Sequence, residues 1–478
     1  MPTTYDKVAY PSVLFKRTHP ERLAVVATLH GLTPPPLETA RVLEIACGEG
    51  LNLLALAAAY PQARFEGFDL AASAIARGEA LRAAAGLDNV TLAARDILEA
   101  SQPIAPGSFD YIVAHGVYAW VPEPVRAGIM ALIGHALAPH GVALVSYNAL
   151  PGGYFRLAMR DMLLHAVDGI TDPDAKIEAA RALLQELADR DSRGHVTLEL
   201  IREFSAEILN HHERVLFHDE LGEVYAPQSL SQVVAAAKQA GLNYLGDSEH
   251  SRIEQDFLEA GEDGANVDDG GDPQRAILRK AQSLDYRDAC LFRMSLFVRN
   301  EARPSRTLDP DRLGPLWIST VMTYDEEADE FLGGTTKHLN LEDAEMKAIF
   351  HRIVAASPGR LPVADLILDT QRRRMFLKLF MAGHVDLHTT PAPFALEVGA
   401  QPRTSPLVRA EIAGEHPRLS RLDHWQLSID QAHLRALLAA ADGQRTVAEI
   451  ARAVDGVFPA DEIVPALNAA ARKALMLA

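Results

Sequence analysis

The sequence predicts an α/β fold: a parallel sheet with helices on both faces, a helical insertion, and mainly helical, winged-helix-like modules towards the C-terminus. Three observations carry this. Residues 42–148 alternate short apolar strand patterns with helix patterns. Residues 154–215 then read as almost continuous charged helix, with few strand formers. Beyond residue 300, two stretches share the order helix, turn, helix, helix, strand.

In the first region strands are expected at residues 42–46, 64–69, 90–94, 109–114 and 141–147. Helices are expected at 51–59, 73–85 and 124–138. Pro151-Gly152-Gly153 ends the alternation. Residues 226–241 form a capped helix closed by Gly241, and a short strand at 243–245 follows. The acidic, Gly-rich segment 254–272 reads as a surface loop, and 290–299 as a strand that resumes the sheet. This divides the chain into 1–150, the first part of the sheet domain, and 151–225, a helical insertion suited to dimerisation or regulation. The end of the sheet domain (226–300), a middle domain (301–400) and a C-terminal domain (401–478) follow. The last two carry the repeated pattern, Pro358-Gly359-Arg360-Leu361-Pro362-Val363-Ala364-Asp365-Leu366 resembling Asp442-Gly443-Gln444-Arg445-Thr446-Val447-Ala448-Glu449-Ile450.

A chain of 478 residues exceeds one core, and two to four domains follow. The net charge of −18 repels nucleic acid and anionic lipid and suits a cationic substrate such as a lysine side chain. Arg372-Arg373-Arg374 stands where a DNA-reading helix could lie, but the second module has no such cluster. Two cysteines, Cys47 and Cys290, in unrelated contexts fit a reducing, cytoplasmic compartment without a disulfide. The N-terminal residues lack a signal-like apolar stretch, no apolar run approaches the roughly 18 residues that span a bilayer, and no metal-ligand spacing occurs. His211-His212-Glu213 comes nearest, and adjacent histidines on a helix point apart.

The chemistry concentrates in Val42-Leu43-Glu44-Ile45-Ala46-Cys47-Gly48-Glu49-Gly50, an apolar strand that crosses a glycine turn into a helix. Such a turn lets a ligand approach bare backbone. Glu44, at the strand's carboxyl end, can accept from an ammonium group, and Gly48 and Gly50 remove side chains from the ligand's path. Asp69 ends the second strand, where a carboxylate meets ribose hydroxyls. NAD and S-adenosylmethionine both satisfy these features. The turn lacks the Gly-x-Gly-x-x-Gly spacing that a pyrophosphate needs. Asp96 after the third strand can accept from an adenine amine, and residues 115–122 after the fourth would face a reactive methyl. S-adenosylmethionine is therefore the expected cofactor. The expected binding set is Tyr10, Thr18, His19, Glu44, Ala46, Cys47, Gly48, Gly50, Asp69, Leu70, Asp96, Ile97, His115 and Gly116. Tyr118, Trp120, Tyr147 and Tyr154 are the candidate aromatic wall of an acceptor channel, with core packing as their alternative role. His115 and His19 could take a proton, directly or through water, but a lone histidine is more often a hydrogen-bonded structural residue, and neither is assigned as a general base. Thr18 also suits a cap for a helix that starts at Pro20.

With these residues in view, the chain resembles a class I S-adenosylmethionine-dependent methyltransferase, of the bacterial group with the methyltransferase regulatory domain. The group's hallmarks stand as Tyr10-Pro11-Ser12, Thr18-His19-Pro20-Glu21-Arg22-Leu23, His115-Gly116-Val117-Tyr118-Ala119-Trp120-Val121-Pro122, Tyr147-Asn148-Ala149-Leu150-Pro151-Gly152, His212-Glu213 and Phe217-His218-Asp219-Glu220-Leu221. The resemblance covers residues 5 to about 300 well and the last third loosely. It implies a Rossmann-like sheet with a helical dimerisation insertion, a homodimer, and, as in rickettsial members, methylation of protein lysines; a small-molecule acceptor or a non-catalytic binding module are the competing readings. Two departures count: Ala46 replaces the usual first glycine of the turn, and Gly153 stands where many members have Trp.

Overall fold

The computed structural model describes residues 4–100, 104–257, 272–333 and 337–478. A one-turn helix α1 (Thr4–Lys7) and α2 (Pro20–Leu29) precede β1 (Arg41–Ile45). The alternation α3 (Leu51–Ala59), β2 (Arg64–Asp69), α4 (Ala72–Ala85), β3 (Val90–Ala94), β4 (Phe109–Ala114), α5 (Glu123–Ala136) and β5 (Leu137–Asn148) follows. β5 starts four residues before the expected position 141. Pro139 cannot continue α5, and the extended backbone around it joins the strand.

The insertion comprises α6 (Gly153–Ala166), α7 (Pro173–Asp189), α8 (Val196–Leu209) and α9 (Glu213–Asp219). It encloses its own core of Met159, Leu163, Leu184 and Leu216. The chain then returns through α10 (Leu230–Gln239), β6 (Leu242–Asp247), α11 (His250–Ile253), α12 (Pro273–Arg287) and β7 (Phe292–Arg299). A Ser229/Gln232 capping box starts α10, and Gly241 with φ 75° follows its end, as the sequence predicts. Part of the expected acidic loop is structured: Glu254–Asp256 forms a 3-10 turn, and buried Asp256 accepts from the Tyr244 hydroxyl (3.0 Å) and the Asp247 amide (2.8 Å). Residues 258–271 of that loop lie outside the described residues.

The seven strands pair in the order β3-β2-β1-β4-β5-β7-β6. β1 to β5 run parallel, and β7 is antiparallel to both of its neighbours. The strand order reverses between β1 and β4, and in open α/β sheets ligands bind outside the carboxyl ends at that point. One face buries Ile112, Ile133, Val233 and Ile277. The other buries Val42, Leu53, Phe65 and Val113, and its apolar cluster runs without a break into the middle region through Leu313, Ile318, Phe350 and Phe380.

That middle region contains β8 (Trp317–Ser319), a meander of β9 (Thr323–Asp325), β10 (Glu330–Gly333) and β11 (Lys337–Leu339), then α13 (Ala344–Ala356), β12 (Leu361–Pro362), α14 (Thr370–Met381) and β13 (Asp386–His388). The C-terminal region follows with α15 (Pro406–Ala413), a hairpin of β14 (Leu419–Ser420) and β15 (Gln426–Leu427), α16 (Ala432–Ala440), α17 (Val447–Ala453) and α18 (Ile463–Ala471). The two similar stretches do share an order. α13, the 3-10 turn Val363–Leu366, α14 and β13 parallel α16, α17, α18 and the bridge of Met476 to Thr404. The meander and the hairpin are not legible in the sequence, because strands of two to four residues leave too short an alternation. The arginine cluster on α14 is engaged within the fold: Arg372 pairs with Asp369 (2.7 Å) and Glu345, and Arg373 with Asp311 (2.6 Å).

One carboxylate ties the middle region to the sheet domain. Glu21 on α2 is 4% exposed and accepts from Arg360 Nη1 (2.9 Å), Thr390 Oγ1 (3.0 Å) and the amides of Thr389 (3.2 Å) and Thr390 (3.3 Å), with His388 Nδ1 at 3.1 Å. Burial alone would raise its pKa, but Arg360 and His388 outweigh that and hold it well below the usual carboxylate range. Glu21→Ala leaves the Arg360 charge buried without its partner. Urea unfolding should show a loss of about 3–5 kcal/mol.

Candidate functional site

The turn after β1 reverses the chain within five residues, using left-handed backbone at Ala46 (φ 57°), Gly48 (φ 57°) and Gly50 (φ 69°). Ala46 holds this conformation against its own Cβ, at a cost of roughly 1–2 kcal/mol. The turn is pinned by the Cys47 amide to Phe68 O (3.1 Å) and the Gly50 amide to Cys47 O (2.8 Å). Asp69 closes it from β2: Oδ2 accepts from the Gly48 amide (2.9 Å) and Oδ1 from the Ala71 amide (2.8 Å). The two glycines differ in purpose. A Cβ on Gly48 would meet nothing within 4 Å, so its face is open to a ligand. A Cβ on Gly50 would lie 2.5 Å from Leu92 Cδ2 of β3, so Gly50 is needed for the close packing of the turn on that strand.

Glu44 is 5% exposed. Its Oε1 accepts from Asn52 Nδ2 (3.0 Å), and its buried Oε2 has no hydrogen-bond partner. Burial pushes its pKa up to about 7, opposed by the Asn52 bond and assisted by Asp69. Thr18, Asn52 and Glu44 border one small void together. A half-satisfied buried carboxylate is costly to keep and fits a cationic ligand group. Glu44, Gly48 and Asp69 thus offer an ammonium acceptor, an open backbone face and a ribose-type carboxylate in one crevice. These residues fit S-adenosylmethionine.

The N-terminal segment crosses this crevice. Asp6 Oδ1 accepts from the Ser73 amide (3.1 Å) and hydroxyl (2.6 Å), capping α4, which lacks a cap of its own. Tyr5 stacks on His218 with ring centroids 4.2 Å apart, His218 Nε2 lies 2.7 Å from Val8 O, and the Tyr10 and His218 ring centroids are 5.7 Å apart. α9 therefore clamps residues 5–10 over the Asp69 side. Phe15 carries the segment on, its ring centroid 4.4 Å from that of His115. The sequence marked Phe217-His218-Asp219 as a hallmark without revealing this role.

His115, after β4, faces Phe15 and Phe292. Its Nδ1 is buried without a partner, and burial lowers its pKa to about 4, so the ring is neutral near pH 7. Gly116 has φ 70° and an open Cβ position, and its amide donates to Ser146 Oγ (2.9 Å). Tyr118 and Tyr147 are buried with ring centroids 6.3 Å apart, and the Tyr147 hydroxyl meets Ser295 Oγ at 3.0 Å. Asp96 Oδ1 accepts from the Leu98 amide (2.9 Å), Ile97 is partly buried, and Leu70 is 59% exposed beside Asp69.

Four expectations change. His19 and not Thr18 caps α2: its Nδ1 accepts from the Glu21 amide (3.1 Å), while the Thr18 hydroxyl donates to Phe15 O (2.8 Å). His19 is thereby committed to the fold rather than to proton transfer. Tyr154 is 62% exposed and belongs to no buried wall. Trp120 packs on Tyr225 (5.0 Å), and the guanidinium groups of Arg156 and Arg160 lie 5.1 and 5.6 Å from its ring centroid, so its partners are cations of the chain itself. At Gly153 a Cβ would come within 2.5 Å of Pro227 Cβ and 3.4 Å of the Tyr225 hydroxyl, so in this chain the position has no room for a larger side chain. Asn52 was missed, although a polar residue within Leu51-Asn52-Leu53-Leu54 was a visible signal. Among the described residues no His, Cys, Asp and Glu cluster could hold a metal, and no helix is long and apolar enough to cross a membrane.

Comparison with known proteins agrees with the fold. Residues 42–141 match the family model described as "Methyltransferase domain", and residues 212–299 the one described as "Predicted methyltransferase regulatory domain". The uncharacterized protein RP028 of Rickettsia prowazekii (strain Madrid E) is 34% identical over 243 residues, 51% of this chain and 96% of that protein. RP789 of the same organism is 30% identical over 308 residues, 64% of this chain and 54% of that protein. The solved structures of PKMT2 from Rickettsia typhi, alone and in complex with AdoHcy, share the fold at a TM-score of 0.80, with 23% and 24% identity, over 98% of this chain and 100% of theirs.

A cation held by Glu44 requires the ionised carboxylate. The folded pKa of about 7 lies above the ordinary 4.5, so proton loss must accompany binding below pH 7. The affinity for AdoHcy, measured by calorimetry, should rise from pH 5.5 to 7 in the wild type and stay nearly flat in Glu44→Gln.

Proposed function

Because the chain belongs to the methyltransferases that carry the predicted methyltransferase regulatory domain, we propose that it transfers a methyl group from S-adenosylmethionine to a lysine side chain of a protein. The unpartnered, buried Oε2 of Glu44 beside the open Gly48 face carries the cofactor half of this reading. When bound, S-adenosylmethionine supplies an electrophilic sulfonium methyl. Glu44 would accept from its ammonium group, and Asp69 from the ribose hydroxyls.

The acceptor half rests on the group resemblance, on the acidic surface, and on the fold shared with PKMT2 over nearly the whole chain. A lysine must lose its proton before attack. With a free pKa of about 10.4, the neutral amine costs about 4 kcal/mol near pH 7.4. Burial beside apolar and aromatic groups lowers that cost. The lysine sheds its proton to solvent as it enters; His115, held neutral by burial, adds no positive charge on the acceptor side, and Phe15 and Phe292 pack against its ring. Alignment of amine and methyl then supplies most of the acceleration. A cytoplasmic location suits the two free cysteines. Pairing of two copies through the insertion suits its exposed Val196, Leu200 and Leu164, and light scattering reads it out.

Methyl transfer is tested with labelled cofactor and a fractionated lysate, followed by mass spectrometry of the labelled species. Label on protein lysine is expected; label confined to small metabolites would overturn the acceptor assignment. Asp69→Ala should weaken AdoHcy binding by about 1–3 kcal/mol. His115→Ala should lower kcat while cofactor affinity holds, and an unchanged kcat would remove it from the acceptor side.

A further inference from the structure

We infer that His424, at the tip of the C-terminal hairpin, is a positioning residue for the cofactor's amino-acid end, acting through Asn52 on Glu44. The inference rests on the cofactor reading above.

The hairpin is built to reach inward. Ser420 on β14 is fixed by Glu411 of α15, its hydroxyl donating to Oε1 (2.5 Å) and its amide to Oε2 (2.7 Å). The Leu422 amide donates to Ala474 O (2.8 Å), tying the tip to the end of the chain. His424 adopts left-handed backbone with φ 61° and is 2% exposed, so a non-glycine residue accepts strain to bury a polar ring. Gln426 Oε1 accepts from the Leu14 amide (3.3 Å), and the rings of His424 and His19 meet edge-on at 5.1 Å. The hairpin therefore docks on the N-terminal segment and on the start of α3.

The decisive contact is at Asn52. Its Oδ1 accepts from the Phe15 amide (3.1 Å) and lies 3.1 Å from His424 Nε2. The Phe15 amide can only donate, which settles the amide's orientation: Oδ1 faces Phe15 and His424, and Nδ2 faces Glu44 Oε1 at 3.0 Å. His424 then carries its proton on Nε2. With Oε1 held, Oε2 of Glu44 remains the free acceptor in the crevice. A residue of the last eighty thus orients the ammonium acceptor without touching the ligand.

Two probes separate this role from general support. S-adenosylhomocysteine carries the ammonium and carboxylate; 5′-methylthioadenosine keeps the nucleoside and thioether and lacks both. His424→Ala should weaken S-adenosylhomocysteine binding about 3- to 10-fold, in the range of one lost hydrogen bond, and leave methylthioadenosine binding unchanged. His424→Gln, which keeps a donor, should restore most of the loss. In a Glu44→Ala background the same substitution should have no further effect. Should His424→Ala fail to fold, Asn52→Ala breaks the link from the sheet side, with the same selective loss expected. Equal weakening of both probes, or an undiminished effect in Glu44→Ala, would overturn the inference while the cofactor reading stands. A wild type that binds neither probe would overturn both.

Discussion

The buried carboxylate of Glu21 is the constraint on which the arrangement of the chain depends. It lies on α2, one helix before the cofactor turn, and its oxygens are shared among Arg360, His388, Thr389 and Thr390 of the middle region. An ion pair at this depth does not reward burial by itself, because desolvation offsets most of the attraction. It specifies where the middle region sits. The apolar cluster that continues from Val42 to Phe380 supplies the non-directional part of the cohesion, and the carboxylate supplies the register.

With that register set, the functional crevice is assembled from distant parts of the chain. The parallel sheet contributes the strand ends that carry Glu44, Asp69 and His115. The N-terminal segment contributes Asp6, Tyr5 and Phe15, held by α9 of the insertion. The C-terminal hairpin contributes His424. Each contribution replaces water around a polar group at the crevice, and that exclusion keeps Glu44 near neutral pH in its titration and His115 uncharged. The insertion and the C-terminal hairpin are in this sense packed against the candidate site.

Much of the sheet domain was legible because it consists of long, repeated periodicities broken by glycine and proline. Glu44, Gly48 and Asp69 were legible because a strand-turn-helix unit places its chemistry at known offsets. Gly50 was legible as a turn glycine, but its packing against Leu92 of a distant strand was not, since that contact leaves no local mark. Trp120 and Tyr154 read as wall residues because aromatic character is visible and its partners are not. Arg156 and Arg160 decide the first, and solvent the second.

By itself the sequence determined the α/β class, the alternation of strands and helices up to the insertion, and the ligand type at the glycine turn, since each follows from patterns within a few dozen residues. Only the tertiary structure decided that His19 is a cap, that Glu44 keeps one oxygen unpaired, and that His424 reaches Asn52 across 372 positions. Those outcomes depend on which hydrogen-bonding group the tertiary packing places beside a buried atom. Nothing in local propensity encodes that placement; it follows from the contacts of Glu21 and the apolar cluster that hold the later regions against the sheet.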